Sequence, residues 1–231
     1  MTPCSVIIPA AGSGSRFGST IPKQFLLLRG RPILAHTVER FRGSGRAFRI
    51  ILCADAAQRA RVEEMITVNG WAEAEIADGG DTRQESVLNG LELIGGDDSN
   101  LVAVHDAVRP FFSRATFERV LEAATEFGAA VPVTPMVETV HRTEGGYIRG
   151  TPDRSLLVSA QTPQCFRLGI LREALQRART EGISGTDEAG LVARFGHSVR
   201  IVDGDRFNMK ITQPEDLYAA ETNFDRWSAQ L

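Results

Sequence analysis

Cysteine is scarce in this sequence, and its few cysteines are far apart. Cys4, Cys53 and Cys165 are odd in number and form no CxxC or other zinc-binding spacing. We therefore expect three reduced thiols, with neither a disulfide framework nor a zinc site.

Long apolar runs and a strong excess of one charge are also missing. No stretch approaches the ~20 apolar residues of a membrane-spanning helix, and no basic segment followed by an apolar run suggests a signal peptide. The net charge of -3 gives no general attraction to nucleic acid or to an anionic membrane. We expect a cytoplasmic protein without nucleic-acid or membrane partners, in which locally placed Lys and Arg meet any anionic ligand.

What the sequence does contain is an alternation of short apolar β-rich runs with amphipathic runs. The runs predicted as strands are 4–9, 48–54, 101–105, 129–133, 156–159 and 198–202. The runs predicted as helices are 32–42, 56–68, 83–94, 114–127, 169–180, 187–195 and 214–227. This alternation predicts an α/β fold with a mainly parallel, twisted sheet flanked by helices. Because no repeat or linker interrupts the sequence, we expect a single domain, 1–231.

One segment, 138–154, departs from the alternation. Residues 139–143 and 147–149 flank Glu144-Gly145-Gly146, which predicts a β-hairpin with a glycine turn. Both predicted strands are polar, and a lone hairpin is only marginally stable in water. We expect this arm to protrude and to pack on something else, such as a second subunit.

The first candidate site is the glycine-rich loop 10–18, directly after the first predicted strand. Gly12 and Gly14 let backbone N–H groups approach an anion closely at the carboxyl edge of a sheet. The loop lacks the Gly-Lys-Ser/Thr end of a Walker loop and the third glycine of a dinucleotide loop. Arg16 and Lys23 supply two cations suited to a triphosphate. A tight turn with surface cations is the alternative.

A second glycine-containing loop, 78–86, joins a short strand to a capped helix. Gly79 and Gly80 expose backbone that can hydrogen-bond a base edge, while Arg83 and Ser86 lie one helical turn apart on the same face. A simple turn before a capped helix is the alternative, but it leaves the paired glycines and Arg83 unexplained.

The strand 101–105 is followed by an acid and a base at the sheet edge where ligands of such folds bind. Asp106 suits a substrate hydroxyl or a magnesium ion and Arg109 suits a phosphate, with their mutual pairing as the alternative. Lys210 lies in an apolar stretch, where an unpaired ammonium is costly unless an anion meets it.

His105 is expected in the core. No Ser or Cys pairs with a plausible His, so a covalent mechanism is not expected. Further candidate motifs are 153–154, 161–164, 185–188 and 208–212.

Taken in order, these motifs closely resemble the 2-C-methyl-D-erythritol 4-phosphate cytidylyltransferase family of the non-mevalonate isoprenoid pathway. Each motif is weak alone, but their joint order and spacing are specific, and the match runs nearly end to end. The matching segments are 10–18, 22–24, 80–86, 105–110, 162–164, 186–188 and 210–216.

The resemblance implies a Rossmann-like nucleotidyltransferase fold, a homodimer joined by the arm, and Mg²⁺-dependent transfer of CMP from CTP to a small phosphorylated polyol. It implies that CTP is bound by the positions Ala10, Ala11, Gly12, Gly14, Arg16, Lys23, Gly80, Asp81, Arg83 and Ser86. It implies that the acceptor is surrounded by Asp106, Ala107, Arg109, Thr139, Arg154, Thr162 and Lys210. By the same resemblance, Arg16 and Lys23 stabilise the transition state. Arg154 and Lys210 position the acceptor phosphate, and no residue is assigned as a direct metal ligand.

The sequence departs from the family pattern at two places. The family usually has Asp-Thr, a hydrophobe and Lys in the arm, where this chain has Glu138-Thr139-Val140-His141, and Gln213 replaces a common Arg. The cyclase domain that some relatives carry is not expected here. Two alternatives stay open: a ribitol 5-phosphate cytidylyltransferase, and a catalytically silent module that binds CTP without releasing pyrophosphate.

Overall fold

A mixed sheet of eight strands organises the protein in a computed structural model that describes residues 4–12 and 21–229. Along the described chain the strands are β1 (Cys4–Pro9), β2 (Leu27–Leu28), β3 (Arg31–Pro32), β4 (Ala47–Ala54), β5 (Ala74–Asp78), β6 (Leu101–Val104), β7 (Ala129–Pro135), β8 (Arg142–Glu144), β9 (Tyr147–Gly150), β10 (Val158–Ala160), β11 (Gln164–Arg167) and β12 (Arg200–Asp203). The α-helices are α1 (Ile33–Ser44), α2 (Arg59–Asn69), α3 (Arg83–Glu92), α4 (Arg114–Phe127), α5 (Leu168–Thr180), α6 (Glu188–Arg194) and α7 (Pro214–Ser228).

The strand order of the large sheet is β10-β7-β11-β6-β1-β4-β5, with β12 also paired to β7. Strands β5, β4, β1 and β6 pair in parallel, as do β7 and β12. Strand β11 is antiparallel to both β6 and β7, and β10 is antiparallel to β7. The predicted mainly parallel α/β sheet is confirmed.

Helices cover both faces of this sheet. Successive side chains of a strand point to opposite faces, so a strand with consecutive apolar residues must be covered on both. In β1, Val6 and Ile8 enter a core that also contains Phe41 of α1, whereas Ile7 enters a core with Val87 of α3. All five side chains are fully buried. The consecutive apolar residues 6–8 of β1 are therefore typical of a strand covered on both sides.

Some predicted boundaries are wrong, and local hydrogen bonds explain one of them. The strand predicted from residue 156 begins instead at Val158, because Asp153 accepts a hydrogen bond from the Ser155 N–H and starts a short 3₁₀ helix, Arg154–Leu156. The first strand of the arm begins at Arg142 and not at residue 139.

All three cysteines are free, as expected from their spacing, and all three are buried. Burial raises the pKa of Cys4 and of Cys53 to about 12, and raises the pKa of Cys165 well above its ordinary value. These thiols pack as small apolar side chains. Over the described ranges, 4–12 and 21–229, no helix has the length and apolar character to span a bilayer.

Candidate active site

A cavity of about 530 Å³ opens where the parallel strands β1, β4, β5 and β6 end. Carboxyl ends of parallel strands meet at one edge of a sheet, so the segments that follow them converge there. The predicted site residues that line this cavity are Ala10, Ala11, Gly12, Lys23, Gly80, Asp81, Arg83, Ser86, Asp106, Ala107 and Lys210. Two further predicted residues, Gly14 and Arg16, lie outside the described residues.

The start of the glycine-rich loop is held by a side chain for which the sequence reasoning gave no role. Gln24, which is 2% exposed, donates hydrogen bonds from Nε2 to the carbonyls of Ala10 at 2.5 Å and Gly12 at 3.2 Å. These two hydrogen bonds fix the backbone from Ala10 to Gly12 before any ligand binds. The adjacent Lys23 lines the cavity.

The second loop packs directly on the first. A Cβ added to Gly79 would lie 2.3 Å from the Cβ of Ala11 and 3.0 Å from the backbone nitrogen of Asp55, so only glycine fits. Ser86 is 2% exposed, and its hydroxyl accepts from the Gly80 N–H at 3.0 Å. The Ser86 hydroxyl therefore fixes the shape of this loop.

Asp106 is the centre of a cluster of charges at the end of β6. Its carboxylate accepts from Arg83 Nε at 3.2 Å and from Arg109 Nε at 3.2 Å, and Lys210 Nζ lies 3.0 Å away. Burial alone would raise the pKa of Asp106, but these cations outweigh it and hold the pKa well below the ordinary range. The pairing of Asp106 with Arg109, left open by the sequence, is present as part of this larger cluster.

A fifth charged residue, Glu188, completes the cluster. Its two carboxylate oxygens accept from Nη1 of Arg83 at 2.6 and 2.8 Å, and its side chain is 1% exposed. Burial raises the pKa of Glu188 above its ordinary value, although Arg83 favours the ionised form.

A second cavity of about 210 Å³ adjoins the first through shared walls. Arg83, Asp106 and Lys210 line both cavities. Arg109 and Thr162 line the second, and Thr162 Oγ1 accepts from the Asp106 N–H at 3.1 Å. The antiparallel strand β11 beside β6 brings Thr162 here, since residue 162 lies just before that strand. Two compartments thus meet at one group of charged side chains.

Two predicted acceptor residues lie elsewhere in the chain. Thr139 and Arg154 are exposed and line neither cavity. Arg154 donates from Nη1 to the Val137 carbonyl at 2.6 Å. The arm itself exposes the apolar side chains of Tyr147 and Ile148, at 69% and 61%.

His105 lies in the core, as the sequence predicted. The ring is fully buried against Phe41 and Phe112, and Nε2–H donates to the Arg109 carbonyl at 3.0 Å. Burial lowers the pKa of His105 to about 3. A neutral imidazole beneath Asp106 supports the site without taking part in proton transfer.

The carboxylates at the first cavity are Asp55, Asp81 and Asp106. Three cations already contact the Asp106 carboxylate, so direct binding of magnesium to Asp106 is disfavoured. No cluster of three or more His, Cys, Asp or Glu suited to a metal ion occurs within residues 4–12 and 21–229. Such a donor set fits Mg²⁺ that takes its other ligands from phosphate and water, since this ion commonly binds one or two carboxylates together with substrate phosphates.

The sequence reasoning did not single out Asp55, although a signal was present. Asp55 directly follows β4, in the position that Ala10 has after β1. Every residue that immediately follows a parallel strand is a candidate in such a fold.

The comparisons with known proteins give one and the same family. The sequence profile of the family described as 2-C-methyl-D-erythritol 4-phosphate cytidylyltransferase (IspD) matches residues 4–226. A protein with that name from Geobacillus kaustophilus is 40% identical over 216 residues, covering 93% of this chain and 94% of the relative. A namesake from Geotalea uraniireducens is 42% identical over 220 residues, covering 94% of each. A crystal structure of the protein of this name from Thermus thermophilus is similar with a TM-score of 0.79 at 36% identity, over 97% of this chain and 100% of that one.

Proposed function

Because the chain belongs to the 2-C-methyl-D-erythritol 4-phosphate cytidylyltransferase family, we propose that it transfers CMP from CTP to 2-C-methyl-D-erythritol 4-phosphate. The products are 4-diphosphocytidyl-2-C-methyl-D-erythritol and pyrophosphate, in non-mevalonate isoprenoid biosynthesis. The observation that carries the proposal is the pair of adjoining cavities that share Arg83, Asp106 and Lys210. A transfer between two bound anions needs two such compartments with a common wall.

We assign the larger cavity to CTP. The backbone from Ala10 to Gly12, together with Lys23, faces it from one side and the loop at Gly80 from the other. Backbone N–H groups and a cation suit a triphosphate, and a rigid loop with exposed backbone suits a base edge. Gly14 and Arg16 complete the triphosphate contacts in this proposal.

We assign the smaller cavity to the phosphorylated acceptor. Lys210 and Arg109 supply positive charge there, and Thr162 and Asp106 supply polar groups for hydroxyls. Asp106 holds Lys210 and Arg109 in place until a substrate phosphate arrives, so the cations are oriented in advance. Such preorganisation lowers the barrier because little rearrangement remains during the reaction.

The reaction proceeds by in-line attack of an acceptor phosphate oxygen on the α-phosphorus of CTP. The new O–P bond forms as the bond to the pyrophosphate leaving group breaks, and the departing oxygen carries away the electron pair. The acceptor phosphate is already ionised at neutral pH, so no general base is required. The chain's cations bring two anions together, and Arg16 and Lys23 stabilise the charge that develops in the transition state.

Magnesium is part of the proposal as a cofactor of CTP. The carboxylates of Asp55 and Asp81 are the groups beside the cavity that would hold it, with phosphate oxygens and water as its other ligands. Bound Mg²⁺ supplies charge neutralisation for the pyrophosphate leaving group.

The proposal also includes a homodimer in which the arm, 138–154, brings Thr139 and Arg154 to the acceptor cavity of the other chain. Support comes from the exposed position of both residues, away from their own chain's cavities, and from the exposed apolar side chains of the arm. A second copy that covers these side chains removes them from water.

We further propose that the enzyme works in the cytoplasm with no nucleic-acid or membrane partner. The three free, buried thiols support a reducing compartment. The net charge of -3 supports a small-molecule substrate over a polyanion.

The test is a pyrophosphate-release assay with Mg²⁺ and each pairing of CTP, ATP, GTP or UTP with methylerythritol phosphate or ribitol 5-phosphate. We expect turnover with CTP and methylerythritol phosphate at a clear advantage over the other nucleotides. Equal use of a purine nucleotide contradicts the proposal. A preference for ribitol 5-phosphate shows that this compound, and not methylerythritol phosphate, is the acceptor. Binding of CTP without pyrophosphate release identifies a silent module.

A further inference from the structure

The buried carboxylate of Glu188 has no part in the proposed reaction, yet it lies beside the wall that the two cavities share. Glu188 is the first residue of α6 and lines neither cavity. An ionised carboxylate that is 1% exposed costs free energy unless a partner compensates it. Its partner is Arg83, which lines both cavities and donates to both carboxylate oxygens.

Neighbouring residues fix the position of the Glu188 backbone. Asp187 caps α6 by accepting from the Gly190 N–H at 2.9 Å, and its other oxygen accepts from Gln164 Nε2 at 2.7 Å. Gln164 Oε1 accepts from the Ala189 N–H at 2.9 Å. The residues on each side of Glu188 are thus tied to one side chain of β11, at the edge of the acceptor cavity.

The guanidinium of Arg83 is held between two carboxylates. Nη1 donates to Glu188, and Nε donates to Asp106 Oδ1 at 3.2 Å. A long, flexible side chain with one anchor can swing, whereas two anchors on different nitrogens fix its plane. Glu188 is the anchor that lies behind the cavity wall.

The charge balance of the cluster also depends on Glu188. Three cations, Arg83, Arg109 and Lys210, face two carboxylates, Asp106 and Glu188. If Glu188 were neutral, Asp106 would be the single carboxylate for all three, and Arg83 would compete more strongly for it. Arg109 and Lys210 would then lose part of the contact that orients them toward an acceptor phosphate.

We propose that Glu188 is a positioning residue that acts through Arg83. It fixes Arg83 at the shared wall and leaves Asp106 available to orient Arg109 and Lys210. The inference rests on the proposed function. Through Arg83, the buried side chain of Glu188 links the nucleotide compartment to the acceptor compartment.

The test compares Glu188→Gln with a matched structural control, Gln84→Ala. Gln84 joins α3 to the loop just before α6, since Nε2 donates to the Ile183 carbonyl at 3.2 Å and Oε1 accepts from the Gly185 N–H at 3.0 Å. It carries no charge and lines neither cavity. Calorimetry measures the CTP dissociation constant, steady-state kinetics measures kcat/KM for both substrates, and a thermal scan measures Tm.

For Glu188→Gln we expect the dissociation constant of CTP to rise about tenfold and kcat/KM to fall about 10- to 100-fold for both substrates, because misplacement of a positioning group by about 1 Å is felt strongly. Gln84→Ala should lower Tm but leave CTP affinity and kcat/KM unchanged. If Glu188→Gln does not fold, Glu188→Asp retains the charge on a shorter side chain and should give a smaller change in the same direction.

A double-mutant comparison decides whether the effect passes through Arg83. In an Arg83→Ala background, Glu188→Gln should cause no further loss of CTP affinity or turnover, because its only target is gone. The inference is overturned if Glu188→Gln causes its full loss of CTP affinity and turnover in the Arg83→Ala background as well. It is also overturned if the single variant Glu188→Gln has unchanged CTP affinity and turnover. A wild-type chain that binds CTP but releases no pyrophosphate overturns the proposed function instead, and CTP affinity then decides the role of Glu188.

Discussion

Single residues in this site serve mainly to hold other groups in place. Asp106, buried at the end of β6, contacts Arg83, Arg109 and Lys210, and so holds three cations at the walls of the two cavities. These cations hold the pKa of the Asp106 carboxyl well below its ordinary range, so the group stays ionised at neutral pH. The catalytic power we assign to the site therefore comes from fixed charges and not from groups that gain or lose protons.

A first prediction at this scale concerns Arg16 and Lys23. Changing either residue to Ala should lower kcat by about 100-fold or more, corresponding to about 3 kcal/mol for one preorganised electrostatic contact in the transition state. Steady-state kinetics with CTP and methylerythritol phosphate measures it. The control is Arg179→Ala, which removes an exposed cation from α5 and should leave kcat unchanged. A raised KM for CTP with unchanged kcat would show that the residue only binds.

A second prediction at this scale is a pH-dependent stability from His105. The pKa of the folded protein's His105 is lowered by burial to about 3, against about 6.5 in an unfolded chain. The unfolded state therefore takes up the proton first, so stability is complete above about pH 6.5 and declines as the pH falls toward 3. Urea unfolding should show a loss approaching about 1 kcal/mol per pH unit below pH 6.

The control is His105→Gln, which retains a donor for the Arg109 carbonyl but does not titrate. Its free energy of unfolding should have a shallower dependence on pH in the same range, while His36, whose pKa is also lowered by burial, contributes equally to both proteins. Identical slopes for the two proteins would contradict the assignment.

At the scale of elements, the nucleotide compartment is built from two loops that touch. The close approach of Gly79 to Ala11 means that the backbone at these two residues cannot move independently. We predict that Gly79→Ala displaces the loop that begins at Ala11 and raises KM for CTP at least tenfold, because the added Cβ meets backbone atoms that cannot rotate away.

The matched control is Gly43→Ala in α1, where an added Cβ meets no atom within 4 Å. It should leave KM unchanged and raise Tm slightly, since Ala is the better helix former. Kinetics and a thermal scan on both variants check the prediction. Equal KM values for the two variants would show that the loops tolerate the displacement.

The elements also show why part of the fold could be predicted and part could not. The run 6–8 of β1 is apolar because helices cover both of its faces, and such runs can be recognised in a sequence. Strand β11 has only four residues, starts with Gln164 and owes its position to partners β6 and β7, which lie far away in the chain. No local pattern records that pairing.

The candidate site divides in the same way. The glycines and cations of the loops carry their chemistry in their own residue types, so residues that line the larger cavity could be proposed from the sequence. The roles of Gln24 and Glu188 depend on contacts across 14 and 105 residues of sequence. Buried polar side chains of this kind become interpretable only when their partners are known.

At the scale of the whole molecule, the role we propose for the arm requires a second chain. We predict that Arg154→Ala and Lys23→Ala are each inactive alone but recover activity when mixed under conditions that exchange subunits. If the arm crosses a two-fold axis, one site of a mixed dimer receives both defects and the other receives neither. Pyrophosphate release should return to at most about half of the wild-type value per mixed dimer.

The controls for this experiment are each variant mixed with itself, and sedimentation of the mixture to measure its mass. No recovery after proven exchange, or an active enzyme that sediments as a monomer, would contradict a shared site.

The three buried cysteines give that experiment an optical readout. Maleimide dyes react with thiolates, and Cys4, Cys53 and Cys165 are both shielded from solvent and held as thiols by their raised pKa values. In a Tyr218→Cys variant, which alters an exposed position of α7, the introduced thiol would take up the dye without removal of any native cysteine. Two batches of this variant, labelled with donor and acceptor dyes, would then report subunit exchange in real time through energy transfer between them.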